Sequence, residues 1–301
     1  MDATDPCPLL RGLLRETLED GALAGRRVAL SGPLEGPRAV LAAVLEEGGV
    51  ELVSDEPEYA IGPFAREQRG LRGLVEPGTV MSAVARALDA PVVSVGCSPV
   101  ARMVIEAAAG PAVVQELLRR TNLSLAGRAV AVLGYGEVGC SVARSVRALG
   151  GHVLVVEDEP LQAFSAALAG HRVSEELEPH VEVVIACERA AAIAELPQGA
   201  LVASALPGRL PPVLGVATRD GIVRAAGRDV LGGGVALLSP AGDGLAPEAA
   251  DALLTLQGLA LHGLADEQLE AGVHRLAPEL EEAVAQAWLE RRAVHAQPER
   301  A

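Results

Sequence analysis

Lysine is absent from this sequence. All 25 basic residues are arginine, they stand against 40 acidic residues, and the formal net charge is −15. Arginine stays protonated at ordinary pH, so chemistry that needs an uncharged lysine amine as a general base is excluded. A chain this acidic also repels phosphate backbones and anionic lipid headgroups. The composition therefore predicts that neither nucleic acid nor a membrane surface is a partner.

Aromatic residues, cysteine motifs and long apolar runs are also scarce. Only 2% of residues are aromatic although 50% are hydrophobic, so the core must be packed from alanine, valine and leucine. The four cysteines have no CxxC spacing, which argues against a zinc site or a disulfide framework. No apolar run reaches the length of a membrane span, and the first residues lack the apolar core of an export signal. We expect a cytoplasmic protein without a metal ion.

Strand-like and helix-like segments alternate from residue 129 onward, beginning with "AVAVLG", "GCSVARSVRALGG" and "HVLVVE". This alternation is typical of a parallel sheet with helices on both faces. A helix is predicted over 111–127, before the alternation begins, and helical segments are predicted to fill 246–292 after it. The segment before residue 105 contains shorter strand and helix patterns of its own.

The predicted fold class is therefore α/β. Residues 105–245 are expected to form a Rossmann-type dinucleotide-binding domain with a doubly wound parallel sheet. Residues 1–104 with 246–292 are expected to form a second, smaller α/β domain of the substrate-binding type, and 293–301 a loose tail.

The segment "GYGEVG" places Gly134, Gly136 and Gly139 at GxGxxG spacing, between a strand-like run and a helix-like run. The first glycine permits the tight turn, the second lets a diphosphate approach the backbone, and the third lets helix and strand pack closely. Glu137 and Val138 complete the motif, and their N–H groups fall in the first turn of the helix, where anions bind. The motif predicts a dinucleotide site, and the alternative is a turn whose glycines serve packing alone.

Glu157 ends the next strand-like run, 18 residues after Gly139 (157 − 139). A carboxylate at this position accepts hydrogen bonds from the adenosine ribose of a bound dinucleotide. Asp158 and Glu159 follow it directly. A ribose 2′-phosphate would be repelled by these acids, so the predicted cofactor is NAD and not NADP.

Residues 123–173, from "LSLAGRAVAVLGYGEVGC" to "AGHRV", resemble the NAD-binding core of the S-adenosylhomocysteine hydrolases. The segments 73–88, 90–102 and 272–290 are similar to further parts of that family, in the same order along the chain. The resemblance implies two domains, a tightly held NAD⁺ and a homo-oligomer. In that family NAD⁺ transiently oxidises the substrate ribose, and the resulting ketone assists elimination of homocysteine.

The sequence departs from that family where the family carries its catalytic groups. The residues from Gly96 to Ala101 stand where the family has an Asn–Asp pair and a catalytic lysine. Ala186, Cys187, Glu188 and Arg189 replace a threonine-rich turn near the nicotinamide, and Leu237 replaces a contacting asparagine. These differences predict a weakened affinity for the cofactor and argue against ordinary adenosylhomocysteine hydrolysis.

Five residues are candidates for substrate chemistry. Glu76, Cys97 and Asp243 are the candidate catalytic groups, while Thr79 and Ser98 are candidates for substrate binding. Each candidate catalytic group has a simpler interpretation. Glu76 can be a solvated loop acid, Cys97 an inert buried thiol, and Asp243 a turn-forming residue before glycine.

These features favour an adenosylhomocysteinase-like NAD-binding protein whose ligand is a small molecule. The first hypothesis is a repurposed biosynthetic enzyme that uses NAD for oxidation or for oxidation-assisted elimination. The alternative is a non-redox cyclase, hydrolase or isomerase, or a catalytically inactive binding partner, on the same scaffold. A 2-hydroxyacid or amino-acid dehydrogenase ranks last, because "ALLSPAGDG" offers no histidine to pair with an acid.

Overall fold

A computed structural model of the chain describes most of its residues. The described residues are 5–30, 34–54, 57–61, 72–76, 89–215, 217–218, 221–238, 244–266 and 269–296. They fall into two compact units. The first combines residues up to Val104 with those from Pro247 onward, and the second contains Ile105–Ser239 with Gly244–Ala246.

The first unit is built on a six-stranded sheet. Its strands are β1 (Arg27–Leu30), β2 (Glu51–Leu52), β3 (Tyr59–Ile61), β4 (Gly73–Glu76), β5 (Pro91–Ser94) and β13 (Gly272–His274). They pair in the order β13-β5-β4-β3-β1-β2, and every pair is parallel. The helices are α1 (Arg15–Leu18, which continues a π-helical segment at Leu10–Leu14), α2 (Pro37–Glu47), α6 (Pro247–Asp266), α7 (Pro278–Ala296) and the start of α3 (Pro99–Thr121).

The strand β13 interrupts the helical segment predicted for 246–292, so that part of the prediction was wrong. Gly272, Val273 and His274 pair with Pro91, Val92 and Val93 of β5. The strand has only three residues, too few for a period of two to show in the sequence. Its position depends on main-chain pairing with β5, which is a tertiary interaction that local sequence does not reveal.

The second unit is built on a seven-stranded sheet. Its strands are β6 (Ala129–Leu133), β7 (His152–Val156), β8 (Arg172–Ser174), β9 (Val183–Ala186), β10 (Leu201–Ser204), β11 (Ile222–Ala225) and β12 (Arg228–Leu231). The order is β11-β12-β10-β9-β6-β7-β8, and only the β11–β12 pair is antiparallel. The helices are α4 (Glu137–Ala148), α5 (Pro160–Leu168) and most of α3.

Alternate residues of β6 enter two separate cores. Val130 and Val132 belong to one buried cluster, and Ala131 and Leu133 belong to another. Because successive side chains of a strand point to opposite faces, both faces of this sheet are covered. The predicted Rossmann-type α/β fold is confirmed. Within the described part of the chain, no helix is long and apolar enough to cross a membrane.

Helix α3 differs from its prediction at both ends. The pattern predicted a helix over 111–127, whereas α3 begins at Pro99 and ends at Thr121. Pro111 therefore lies inside the helix and not at its first turn. The preceding residue, Gly110, donates its N–H to the hydroxyl of Ser141 at 2.8 Å. The helix ends where Asn122 adopts a left-handed φ of 50°, a conformation that asparagine tolerates well.

Candidate nucleotide site

The glycine-rich turn lies at the switch point of the second sheet. From β6 the chain runs to β7 and β8 on one side and then returns to β9 on the other side of β6. Ligands of open α/β sheets bind at the carboxyl ends of the strands at such a point. Three segments meet there, namely the turn 134–139 after β6, Glu157 after β7 and Glu188 after β9.

Close contacts fix the glycines of this turn. Gly134 has a φ of 89°, and an added Cβ would lie 2.6 Å from the backbone nitrogen of Arg189. A Cβ on Gly139 would lie 2.1 Å from the carbonyl oxygen of Gly134. Gly136 is the N-cap of α4, and a Cβ there would lie 2.7 Å from the Glu188 carboxyl carbon. Two of the glycines thus allow the turn and the close packing of the helix, and the third leaves space beside the helix N-terminus.

Glu137 and Val138 form the first turn of α4 after this N-cap. Glu137 is partly exposed, whereas Val138 is buried. Their backbone N–H groups belong to the set that has no acceptor within the helix itself, and the helix dipole adds a partial positive charge there. This end of α4 is therefore a site for an anionic group.

The Glu157 carboxylate is buried at the end of β7 and binds backbone N–H groups. One oxygen accepts from the N–H of Tyr135 at 2.7 Å, and the other accepts from Asp158 at 3.0 Å and Glu159 at 2.9 Å. The first of these bonds ties β7 to the glycine-rich turn. A carboxylate can accept about four hydrogen bonds, so capacity remains for a ribose hydroxyl.

The Glu188 carboxylate lies on the N-terminus of α4. Its Oε1 accepts from the N–H of Val138 at 2.9 Å and from that of Gly139 at 3.1 Å, while Oε2 accepts from Gly139 at 3.2 Å. Burial raises the pKa of this carboxyl above its usual value, and the backbone N–H donors oppose that rise in part. An anion of this protein thus occupies the donors that would hold the diphosphate of a dinucleotide.

The backbone holds residue 188 in this place. Cys187 and Arg189 both donate their N–H groups to the carbonyl of Leu133, at 2.9 Å and 3.2 Å. In the sequence Glu188 differs from a threonine-rich turn of the similar family, which does not by itself indicate a contact with α4. The available signal was its position two residues after β9, the strand that neighbours β6 in the sheet.

Tyr135, the second residue of the turn, is buried. It is 3% exposed and packs edge-on against His171, with 5.6 Å between the ring centroids. Burial and a hydrogen bond with Cys140 raise the pKa of the phenol. The Tyr135 side chain is thus a neutral phenol that packs under the turn against His171.

Glu76, Cys97 and Ser98 lie at or just beyond the carboxyl ends of neighbouring strands in the first unit. Glu76 ends β4 and is in register with Ser94, the last residue of β5. Cys97 is partly exposed in the short helical turn that follows β5. Thr79 and Asp243 lie outside the described residues.

Ser98 has a structural role in this unit. It is 1% exposed, and its hydroxyl oxygen accepts from the N–H of Ala101 at 3.1 Å, which caps the start of α3. The same hydroxyl bonds to Glu281 of α7, which also accepts from the N–H of Val100. Burial raises the pKa of the Glu281 carboxyl, and these hydrogen bonds oppose the rise.

The described residues of both units include histidine, cysteine, aspartate and glutamate side chains that could in principle bind a metal ion. No group of three or more histidine, cysteine, aspartate or glutamate side chains there is arranged to hold a metal ion. All four cysteines are free thiols, and burial raises the pKa of Cys7 to about 12.

Residues 108–198 match the family model described as "S-adenosyl-L-homocysteine hydrolase, NAD binding domain". A segment of 64 residues is 45% identical to an S-inosyl-L-homocysteine hydrolase of Methanopyrus kandleri. This segment is 21% of the present chain and 15% of that enzyme, so the match spans well under two thirds of the relative's length.

Solved structures share the fold over most of the chain. A dipicolinate synthase subunit from Bacillus halodurans has a TM-score of 0.50 and 19% identity, with 81% of this chain and 99% of that chain covered. A putative D-3-phosphoglycerate dehydrogenase from Ralstonia solanacearum has a TM-score of 0.52 and 14% identity, with 82% and 96% covered. At these identities the likeness concerns the fold.

The second unit is thus a Rossmann-type NAD-binding domain. Over residues 108–198 this domain is similar to the NAD-binding domain of the S-adenosyl-L-homocysteine hydrolases. The glycine turn and Glu157 fit NAD, since the turn leaves space beside the helix N-terminus and an acid ends the following strand, where the ribose of a dinucleotide is bound in this fold. The N–H groups for the diphosphate fit as well, but only once the Glu188 carboxylate has left them.

Proposed function

We propose that this protein is an NAD-dependent enzyme that oxidises a small molecule, or uses that oxidation to assist an elimination. The proposal excludes ordinary adenosylhomocysteine hydrolysis, because the chain has no lysine and Gly96–Ala101 replace the family's catalytic segment. The observation that carries it is the pairing of the glycine turn with buried Glu157 at the sheet's switch point, within a domain of an NAD-binding family.

In this proposal Gly134, Gly136, Glu137, Val138 and Gly139 hold the diphosphate, and Glu157 binds the adenosine ribose. NAD supplies, when bound, an acceptor for hydride from a carbon that bears a hydroxyl group. The protein's own groups must then orient the substrate, exclude water and take the proton that the hydroxyl loses.

Glu76 is the proposed acceptor of that proton. A carboxylate at the carboxyl end of a strand is placed where substrates of α/β proteins bind. The remaining candidates, Cys97, Ser98, Thr79 and Asp243, are proposed to line the same substrate site. For Ser98 this means contact through its backbone, since its hydroxyl already caps α3.

The test combines cofactor binding with turnover. Added NAD⁺ should raise the melting temperature of the purified protein. When small hydroxylated compounds are tested with protein and NAD⁺, at least one should be oxidised, and NAD⁺ should be reduced to NADH. Glu76→Gln should lose turnover and keep the thermal shift. The control Glu51→Gln removes an exposed acid of the same unit and should leave both unchanged.

A second candidate is a non-redox cyclase, hydrolase or isomerase, or a catalytically inactive binding partner, on the same scaffold. The contact of Glu188 with the diphosphate donors favours it. Under this alternative NAD⁺ is never reduced, and Glu76→Gln changes no nicotinamide signal.

We further propose that the ligand is a small molecule and that the protein forms a homo-oligomer. Light scattering would measure the mass of that oligomer.

A further inference from the structure

The N-terminus of α4 offers donors that only an anion from outside the helix can use. The N–H groups of Val138 and Gly139 have no acceptor within α4, and both donate to Glu188. Three donor–acceptor distances between 2.9 and 3.2 Å show a carboxylate seated on both donors.

The same carboxylate also fills the space that the glycines leave. A Cβ on Gly136 would lie 2.7 Å from the carboxyl carbon of Glu188, and one on Gly139 would lie 2.7 Å from its Oε2. Larger residues at these positions would exclude Glu188 as effectively as they would exclude a diphosphate.

We propose that Glu188 is an internal competitor of the NAD diphosphate and sets the affinity of the site. This inference rests on the proposed binding of NAD by the turn 134–139. The carboxylate and a diphosphate need the same donors and the same space, and both are negative, so they cannot be bound there together. The dinucleotide therefore binds only the fraction of molecules in which Glu188 has turned away.

The proposed displacement is a rotation of the Glu188 side chain. The N–H groups of Cys187 and Arg189 stay bonded to the carbonyl of Leu133, so β9 keeps its place. Glu188 as a residue is partly exposed, and the proposed displacement moves its largely buried carboxylate toward solvent.

The competition weakens binding by a predictable factor. When only a fraction of the protein is competent to bind, the apparent dissociation constant is the intrinsic constant divided by that fraction. A carboxylate held by three hydrogen bonds keeps the open fraction small, and an open fraction of about 0.1 corresponds to a loss of about tenfold in affinity. Removal of the carboxylate restores that factor.

The competition also depends on the ligand. Adenosine has the ribose that Glu157 would bind but no phosphate. It therefore does not need the N–H groups of Val138 and Gly139 as hydrogen-bond donors. Its affinity should therefore be independent of residue 188.

The experiment measures binding of NAD⁺ and of adenosine by calorimetry to the full chain and three variants. Glu188→Ala removes the competitor. Glu188→Gln removes its charge but keeps an acceptor of the same length. Glu176→Ala removes an exposed acid of the same domain as a control for net charge. Melting curves establish that each variant is folded, and Glu188→Gln preserves the test should Glu188→Ala fail to fold.

We expect Glu188→Ala to bind NAD⁺ at least about tenfold more tightly than the wild type, with Glu188→Gln between them. Adenosine should bind all four proteins alike, and Glu176→Ala should behave as the wild type. Equal or weaker binding of NAD⁺ by Glu188→Ala would overturn the inference, while NADH production by the wild type would leave the proposed function standing. Tighter binding by Glu188→Ala without turnover by any variant would support the inference and overturn the proposed reaction. No binding of NAD⁺ by any variant would overturn both.

Discussion

The glycine-rich turn has two structural requirements besides ligand binding. Gly139 lets the first turn of α4 rest against the carbonyl of Gly134, and Gly134 adopts a left-handed φ that other residues rarely tolerate. Tyr135 between them is buried against His171. The turn is therefore closely packed, and its geometry should be sensitive to single methyl groups.

Gly139→Ala should destabilise the second unit. The new Cβ would lie 2.1 Å from the carbonyl oxygen of Gly134, so the backbone must shift. Overpacking of this kind costs about 1 to 3 kcal/mol, and contact with backbone places it toward the upper end. Gly263→Ala is the control, since its added Cβ meets nothing within 4 Å and α6 should gain about 1 kcal/mol. Denaturant unfolding would measure both, and equal stabilities would contradict the argument.

Residues that act through neighbours in sequence were predictable, and those that act across the sheet were not. The glycines, the start of α4 and Glu157 belong to one strand–helix–strand unit, so spacing alone located them. Glu188 follows Gly139 by 49 positions (188 − 139), and its contact depends on the return of the chain to β9 beside β6. No local pattern marks a carboxylate that will meet a helix end from another strand.

Helix α3 shows how tertiary contact changes an element. A proline normally begins a helix, and Pro111 predicted such a start. In the structure the helix runs through Pro111, and Ser141 of α4 accepts a hydrogen bond from the N–H of Gly110 just before it. A Cβ on Gly110 would lie 2.1 Å from the carbonyl of Ser141, so the two helices touch through their backbones. The pattern indicated the helix but not its bounds.

Ser141→Ala should therefore cost more than an ordinary serine substitution. It leaves the buried N–H of Gly110 without its acceptor, a loss of about 1 to 3 kcal/mol. Ser145→Ala on the same helix is the matched control, because the Ser145 hydroxyl donates to the Ser141 carbonyl within the helix, one turn earlier. Its effect should stay within about 0.5 kcal/mol. Equal losses in unfolding free energy for the two variants would show that the Gly110 contact is unimportant.

At the scale of the molecule, the two sheets follow from repeated local patterns. Alternating strands and helices after residue 129 predicted the second sheet and its covered faces, because both faces of a parallel sheet need helices. The edge strands were harder. β13 has three residues, and β2 has two, so neither carries a readable period. Their places depend on pairing with β5 and β1.

The acidity of the whole chain makes its stability depend on pH, and Asp251 adds a specific contribution. This α6 residue is 2% exposed and accepts hydrogen bonds from the N–H groups of Leu9 and Leu10, both at 2.9 Å. Burial raises the pKa of Asp251 from 3.8 to about 6; the two hydrogen bonds and Arg291 oppose the rise, and Asp5 adds to it. We take 3.8 as the pKa of Asp251 in the unfolded chain and about 6 as its pKa in the folded protein. Between these two values the folded state binds more protons than the unfolded state. The stability that Asp251 contributes is therefore fully present below pH 3.8. It is lost as the pH rises through about 6.

We therefore expect the free energy of unfolding to rise by about 1 kcal/mol through Asp251 when the pH falls from about 7.5 to about 5.5. That range stays above the sequence pI of 4.9. Asp251→Asn has no proton to bind in this range, so its unfolding free energy should change less with pH by that amount. Asp158→Asn replaces an exposed aspartate and therefore has the same formal net charge as Asp251→Asn. It should keep the pH dependence of the wild type. Denaturant unfolding at the two pH values separates the three proteins. If the wild type and Asp251→Asn show the same pH dependence of the unfolding free energy, the dependence comes from repulsion among the acidic residues of the whole chain. The buried carboxyl of Asp251 would then not be its cause.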